Sequence, residues 1–239
     1  MSALDAMDLL QVWERGQRAT SPQRALLLLA VDPAEPAPQQ LLVGQRDRRL
    51  LALRERLFGR GMTCVAPCPG CGERLELPLD TRQFQVPDPR SRELILDLRG
   101  ARVRFRVACG EDLVACAEEP DLDAAERCLL ERCVIEASLN GRPVAAGELP
   151  QELLEALGSA MAEADPGADL EVAVTCPFCG HAWASPFDIA AFLWTELQDW
   201  ALRVLGEVHS LASAYGWSER QILDLGPWRR SLYLQMVGR

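Results

Sequence analysis

One short cysteine motif occurs twice in this chain and constrains its fold more than any other feature. The first copy reads C-P-G-C-G at residues 68–72, and the second reads C-P-F-C-G at residues 176–180. An apolar residue, a Pro-Leu-Asp or Pro-Phe-Asp triplet and a phenylalanine (Phe84 or Phe192) follow each copy at the same offsets. Agreement at so many fixed offsets predicts an internal duplication.

Each C-x-x-C motif supplies two thiolates, whereas a structural zinc site needs four ligands arranged as a tetrahedron. We therefore predict a duplicated-knuckle zinc ribbon with one structural Zn²⁺ per chain, bound by Cys68, Cys71, Cys176 and Cys179. His181 and Cys64 are alternative ligands if one of these cysteines is displaced. The remaining cysteines lack ligand spacing and are expected to be small buried hydrophobic residues: Cys109, Cys116, Cys128, Cys133 and, in its simplest interpretation, Cys64.

The overall composition is that of a soluble globular protein, with 49% hydrophobic and 25% charged residues among 239. We recognise no signal peptide at the N-terminus, and the longest apolar run, residues 25–31, is too short to span a bilayer. Nine cysteines without an export signal favour a reducing compartment and metal ligation over disulfides. We expect a cytoplasmic protein without a membrane segment.

Charge is distributed unevenly along the chain. Residues 111–171 hold 16 acidic residues and three arginines, a net charge of −13, whereas residues 1–110 carry a net charge of +4. The chain contains no lysine, so every positive side chain is an arginine. The acidic block should repel phosphate backbones and suit a basic partner surface.

Hydrophobic periodicity predicts an α+β protein that is predominantly helical. Helices are expected within residues 1–60 (the third over 39–58), over 111–118, 123–137 and 150–163, and in a long amphipathic segment over 188–215 followed by two short helices. Alternation predicts strands at 74–77, 94–98, 103–107 and 170–174. The strand before the second knuckle is expected beside its counterpart near the first, and residues 32–38 are expected to form a turn or linker.

These elements suggest three parts. Residues 1–60 form N-terminal helices, residues 61–186 form the zinc ribbon and small antiparallel sheet, and residues 187–239 form a helical C-terminal segment. An acidic helical insertion at about 110–165 separates the two knuckles. The predicted metal site would join the two ends of this insertion. It also lies directly before the C-terminal helix in the sequence.

Two arginine clusters allow a nucleic-acid interpretation. One is Arg46-Asp47-Arg48-Arg49, and the other is the alternating set Arg102, Arg104 and Arg106. The first is more simply a solvated helix face. The second lacks interleaved aromatic residues, so it is more simply the solvent-exposed face of a half-buried strand. We therefore do not expect nucleic-acid binding.

Catalytic chemistry is difficult to assemble from this sequence. It has two histidines, His181 and His209, and lacks a G-x-S-x-G motif, a phosphate loop and an H-E-x-x-H motif. A closed site of four thiolates leaves no position for water or substrate. We therefore expect no catalytic residues, no small-molecule substrate and no enzymatic activity.

The C-terminal stretch at residues 209–225 reads H-x-L-A-x-x-Y-G-W-S-E-x-x-I-L-x-L, with arginines and Tyr233-Leu234 following. It resembles the C-terminal signature of the baseplate hub assembly chaperones of T-even phages. Similar proteins are encoded beside phage-tail-like contractile injection systems. The segment at 176–183 with Phe187-Asp188 and residues 192–194 resembles the zinc-knuckle members of that group, and residues 9–26 fit them too.

The resemblance implies a cytoplasmic assembly factor that binds a baseplate or hub subunit of a phage-tail-like particle. A permanent structural component of such a particle and a zinc-ribbon adaptor for nucleic acid or protein are the alternatives. Some of the C-terminal aromatic residues could anchor a partner, although aromatic residues at this density are usually in the core: Trp194, Trp200, Tyr215, Trp217, Trp228 and Tyr233.

Overall fold

The structure is a computed structural model that describes residues 5–32, 37–84, 89 and 91–238. Within these ranges the α-helices are α1 (Ala6–Gly16), α2 (Ser21–Leu29), α3 (Val43–Phe58), α4 (Gly110–Cys116), α5 (Leu122–Cys133), α6 (Gln151–Ala164), α7 (Ile189–Tyr215), α8 (Glu219–Leu223) and α9 (Pro227–Val237). The strands are β1 (Gly61–Pro67), β2 (Arg74–Asp80), β3 (Glu93–Leu98), β4 (Ala101–Arg106), β5 (Val134–Leu139), β6 (Arg142–Pro143), β7 (Glu171–Thr175) and β8 (Ala182–Pro186).

These strands form three small antiparallel sheets: β1–β2, β3–β4–β5–β6 and β7–β8. The predicted mixed α and β class, with a helical majority, is therefore confirmed. The division of the chain at residues 60 and 186 stays a prediction. The turn predicted for residues 32–38 lies largely outside the described residues.

The 27-residue helix α7 is the longest described element, and its bounds agree with the predicted amphipathic segment. The Asp188 carboxylate accepts a hydrogen bond from the Ala191 N–H at 3.0 Å and caps the first turn. Gly216 ends the helix in the left-handed region, at a φ of 69°. The apolar positions at three- and four-residue spacing form its buried face: Ile189, Leu193, Leu197, Ala201, Val204 and Leu211.

This apolar face of α7 packs against the N-terminal helices. One continuous hydrophobic cluster joins side chains of α1, α2, α3 and α7, including Leu28, Leu50, Leu193 and Leu197. The predicted N-terminal and C-terminal parts therefore share a core, although they are more than a hundred residues apart in sequence. The knuckle hairpins lie in the sequence between these helices.

Gly16 of α1 packs directly against the indole of Trp194 of α7. A Cβ atom at Gly16 would lie 2.1 Å from Cη2 of Trp194. We expect Gly16→Ala to lower the free energy of unfolding by about 1–3 kcal/mol because the indole must move. Gly206→Ala, on the exposed face of α7 with nothing within 4 Å of the added atom, should instead stabilise by about 0.5–1 kcal/mol. Urea unfolding measures both stability changes. Equal urea midpoints for the two variants would contradict the predicted contact between Gly16 and Trp194.

A second hydrophobic cluster lies between the four-stranded sheet and α6. It joins Val103, Phe105 and Ala137 of the sheet to Leu153 and Leu157 of the helix. The helix predicted over residues 123–137 is wrong in its last part, because α5 ends at Cys133 and residues 134–139 form β5. The β-branched pair Val134-Ile135 favours a strand, and β5 pairs with β4 through Val103 and Ala137.

Two further expectations need correction. The third helix begins at Val43, not at residue 39, because Pro38–Gln40 forms a separate 3₁₀ turn. The strand before the second knuckle does not pair with its counterpart, since β7 pairs with β8 and β1 with β2. The two hairpins meet through side chains instead. In the part of the chain that is described, no helix combines the length and apolar character needed to cross a bilayer.

Candidate metal centre

The first C-x-x-C motif lies in the turn between β1 and β2. The Cys68 N–H donates to the Glu73 carbonyl at 2.8 Å, and the Gly72 N–H donates to the Cys68 carbonyl at 2.8 Å. Gly72 adopts a φ of 77°, in the left-handed region that favours glycine. These bonds fold the chain tightly around the two cysteines.

The second motif makes the same turn between β7 and β8. The Cys176 N–H donates to the His181 carbonyl at 2.8 Å, and the Gly180 N–H donates to the Cys176 carbonyl at 3.0 Å. Gly180 has a φ of 73°. The repeated C-P-x-C-G pattern therefore specifies one local conformation twice.

The two turns face each other, and their four sulfur atoms converge. The Sγ atoms of Cys68 and Cys179 are 3.6 Å apart, and those of Cys71 and Cys176 are 3.7 Å apart. All four lie within 4.8 Å of one another. Four sulfurs at 2.3 Å from a central Zn²⁺ would be about 3.8 Å apart, so the donor set fits a tetrahedral ion.

The surroundings stabilise thiolates unequally. Burial opposes ionisation of Cys176, but the N–H groups of Cys179 and Phe178 stabilise its thiolate and hold its pKa at about 7. The Glu73 N–H has the same effect on Cys71, yet partial desolvation of its sulfur and the other three sulfurs raise the pKa of Cys71 to about 12. Four sulfurs this close need a cation if all are to be thiolates.

Apolar side chains pack around the inner half of the site. Cys68 and Cys176 are buried in a cluster with Leu75 and Val174 from the two hairpins, whereas the sulfur-bearing side chains of Cys71 and Cys179 are exposed. Gly70 allows the turns to approach, since a Cβ there would lie 3.1 Å from the Cβ of His181.

The predicted alternative ligands are not in the cluster. Among the described residues, the group that could hold a metal ion consists of the four knuckle cysteines, without His181 or Cys64. The His181 ring instead stacks on Trp183, with ring centroids 5.9 Å apart. Of the other cysteines, only Cys109 and Cys133 are fully buried, so the expected burial is wrong for the partly exposed ones: Cys64, Cys116 and Cys128.

The two arginine clusters differ in burial. The solvated-face interpretation is wrong for Arg46 and Asp47, which are 7% and 6% exposed and form an ion pair at 2.7 Å. Arg102 and Arg104 lie on the solvent-facing side of β4, as expected. Arg102 is near Asp97, and Arg104 is near Glu93. Sequence reasoning missed the partner of the third arginine: the fully buried Asp112 accepts two hydrogen bonds from Arg106.

The C-terminal aromatic residues divide between core and surface. Trp194 is buried against α1 and α2, whereas Trp228 is 73% exposed. Tyr215, Trp217 and Tyr233 form a ring cluster with centroids 4.7 to 5.7 Å apart. This cluster joins the end of α7 to α9.

A family model described as T4 bacteriophage base plate protein matches residues 27–194, which is more than half of the chain. The chain belongs to this baseplate family. The expected family relationship is thus confirmed. The matched region of this baseplate-family protein contains both knuckles but ends at Trp194, before the motif at 209–225. No curated protein and no solved structure matches the chain.

Proposed function

We propose that this protein is a non-enzymatic assembly chaperone that binds a baseplate or hub subunit of a contractile tail-like particle. The observation that carries the proposal is the baseplate family match over residues 27–194. The acidic region at 111–171 supports it, because a strongly negative surface favours encounter with a basic partner.

We also propose that Cys68, Cys71, Cys176 and Cys179 bind one structural Zn²⁺. The sulfur separations of 3.6 and 3.7 Å support a tetrahedral ion. Two separate hairpins would then be joined by metal–sulfur bonds across more than a hundred residues of chain. The ion would fix the start of α7, because β8 leads directly into that helix.

Exposed apolar side chains near the C-terminus support a protein-binding role. Leu202, Trp228 and Met236 are 55%, 73% and 61% exposed, respectively. Of these three, Trp228 is the strongest candidate for a contact residue, because tryptophan is enriched among the residues that contribute most binding energy in interfaces. A permanent structural subunit remains the alternative, since the family description names the base plate itself.

Separating the assembled particles from the unassembled pool in the producing cell tests the chaperone proposal. We expect a tagged chain to co-purify with one baseplate or hub subunit before assembly and to be missing from finished particles measured by quantitative mass spectrometry. Deleting its gene should leave that subunit aggregated or unincorporated. The major tail proteins, retained in the same particles, provide the internal control.

Stoichiometric retention of the chain in finished particles would instead identify a structural component. The nucleic-acid adaptor alternative predicts a different result. Its affinity for DNA or RNA should fall steeply as salt rises, because the contacts are to phosphates. Tight, salt-sensitive binding to DNA or RNA in a titration from 50 to 200 mM salt would contradict the chaperone proposal.

A further inference from the structure

A cavity of about 440 Å³ lies between α3, α5, α6 and the start of α7, away from the cysteine cluster. Its volume is within the range of sites that bind small organic ligands. Most of its wall is apolar, with contributions from Val43, Val107, Leu113, Leu129, Met161 and Phe187. Such a wall suits an extended aliphatic chain.

The polar part of the wall is predominantly acidic. Four carboxylates line it, from Asp47, Asp165, Asp169 and Asp188. Among the described lining residues, the single cationic side chain is Arg46, whose Nε lies 2.7 Å from Oδ1 of Asp47. Arg48, outside this lining, also acts electrostatically on Asp165, so four carboxylates face two arginines and the cavity keeps a net negative charge.

Asp165 is the most unusual of these residues, because it is 3% exposed and only half satisfied. Its Oδ2 accepts a hydrogen bond from the Gly44 N–H at 2.9 Å. Its Oδ1 is buried and has no hydrogen-bond partner among the described residues. A buried polar atom without a partner is unfavourable, so this oxygen would be stabilised by a hydrogen-bond donor once the Asp165 side chain turns towards a cation in the cavity.

The local electrostatics agree with this geometry. Burial raises the pKa of Asp165, although the Gly44 N–H and the charges of Arg48 and Arg46 oppose the rise. Burial also raises the pKa of Asp47, despite Arg46, with Asp188 and Asp165 adding repulsion. Both acids would be stabilised as carboxylates by an additional positive charge.

The spacing of the carboxylates favours an organic cation over a metal ion. Among the described residues, the four cysteines form the one group whose ligand atoms converge closely enough to hold a metal. No three of the described aspartates of the cavity converge in this way. A guanidinium group carries five N–H donors in a plane and can serve separated acceptors.

We propose that this cavity binds an arginine side chain of a partner protein, with the guanidinium at Asp165 and the aliphatic stem along the apolar wall. The identity of that partner as a baseplate or hub subunit rests on the proposed function. Binding of an arginine side chain in the cavity does not depend on the proposed function. The partner's arginine would then anchor the interface between the two proteins. A basic anchor agrees with the net negative charge of this chain.

Titration with Nα-acetyl-arginine N-methylamide, followed by ¹⁵N NMR on the full chain, tests the proposal. We expect saturable shifts of the Gly44 amide, whose N–H bonds to Asp165. Asp165→Asn should weaken binding at least tenfold, while its side-chain carbonyl can still accept from Gly44. Glu163→Gln, an exposed change on α6 outside the cavity, is the matched control and should leave binding unchanged.

Asp169→Asn, at the exposed rim of the cavity, should weaken binding two- to threefold. This second variant provides the test if Asp165→Asn does not fold. The neutral citrulline analogue should bind at least tenfold more weakly than the arginine probe. Equal binding of citrulline, unchanged binding in both aspartate variants, or saturation of the same amides by Mg²⁺ alone would each overturn the proposal. None of these results depends on whether finished particles retain the chain.

Discussion

Cys71→Ser is expected to abolish zinc binding and to unfold the two knuckle hairpins. The purified chain should contain one zinc per molecule by elemental mass spectrometry, and the variant should contain none. Structural zinc contributes about 10–16 kcal/mol of apparent binding free energy in zinc-finger peptides, which is comparable to the whole stability of a domain. The loss should appear as a large fall in melting temperature by circular dichroism.

The exposure of Cys71 makes this experiment specific to the metal. Its side chain is exposed, so replacing sulfur by oxygen disturbs little packing. Cys64→Ser is the matched control, because Cys64 lies in β1 and is partly buried but is outside the sulfur cluster. That variant should keep its zinc and lose about 1 kcal/mol or less. Cys179→Ser should repeat the result of Cys71→Ser.

Two outcomes would contradict the shared site. A measured content of two metals per chain would indicate that each knuckle binds its own ion. A metal-free chain that melts at the same temperature with and without added zinc would show that the turns are stable without an ion. A chelator such as EDTA should reproduce the effect of the substitution on the wild-type chain.

Asp112→Asn is expected to lower the free energy of unfolding by about 3 kcal/mol. Asp112 is fully buried and accepts hydrogen bonds from Arg106, Arg132 and the Cys109 N–H at 2.5 to 2.9 Å. Breaking a buried ion pair by removing one partner leaves charge without compensation, at a cost of about 3–5 kcal/mol. The partial exposure of both arginines puts the expectation at the lower end.

The same residue predicts a pH dependence. Burial alone would raise the pKa of Asp112, but the bonds from Arg106, Cys109 and Arg132 hold it far below its usual range. The unfolded chain therefore takes up this proton first, as pH falls below about 4. Its stabilising contribution is present above that pH and is lost as pH falls further towards the folded pKa.

Urea unfolding at pH 7 and at pH 3 measures both effects. The difference between wild type and Asp112→Asn should be largest at pH 7 and should shrink at pH 3. Asp97→Asn is the control, because its carboxylate lies 3.9 Å from Arg102 with both side chains mostly exposed. That pair should contribute less than about 0.5 kcal/mol. A loss of similar size in the two variants would show that Asp112 does not anchor the region.

Local sequence signals predicted much of the fold and the candidate site. The four candidate metal-binding cysteines, the two turn glycines and the capped helix α7 follow from residue identities within a few positions of each other. The strand β5 was missed because its apolar residues continued the helical spacing of α5. An Asn140-Gly141 turn, with φ values of 50° and 78°, was the local signal for a hairpin there.

Long-range contacts decided the remaining features. Arg46 and Asp47 belong to a strongly charged helix, and only packing against residues 165–170 and 186–188 shows that they are buried. The cavity depends on Asp165 meeting Gly44, which is 121 positions away in the sequence. Likewise, no local pattern identifies Asp112 as the partner of two arginines.

By itself, the sequence determined the chemistry of the knuckles and the period of the helices, because side-chain type and spacing act over a few residues. The tertiary structure decided which of those groups lie together and which lose contact with water. It brought the four sulfurs within 4.8 Å and left one oxygen of Asp165 buried without a described partner. The physical reason is that burial and charge compensation depend on the neighbours brought near by folding, which sequence spacing does not encode.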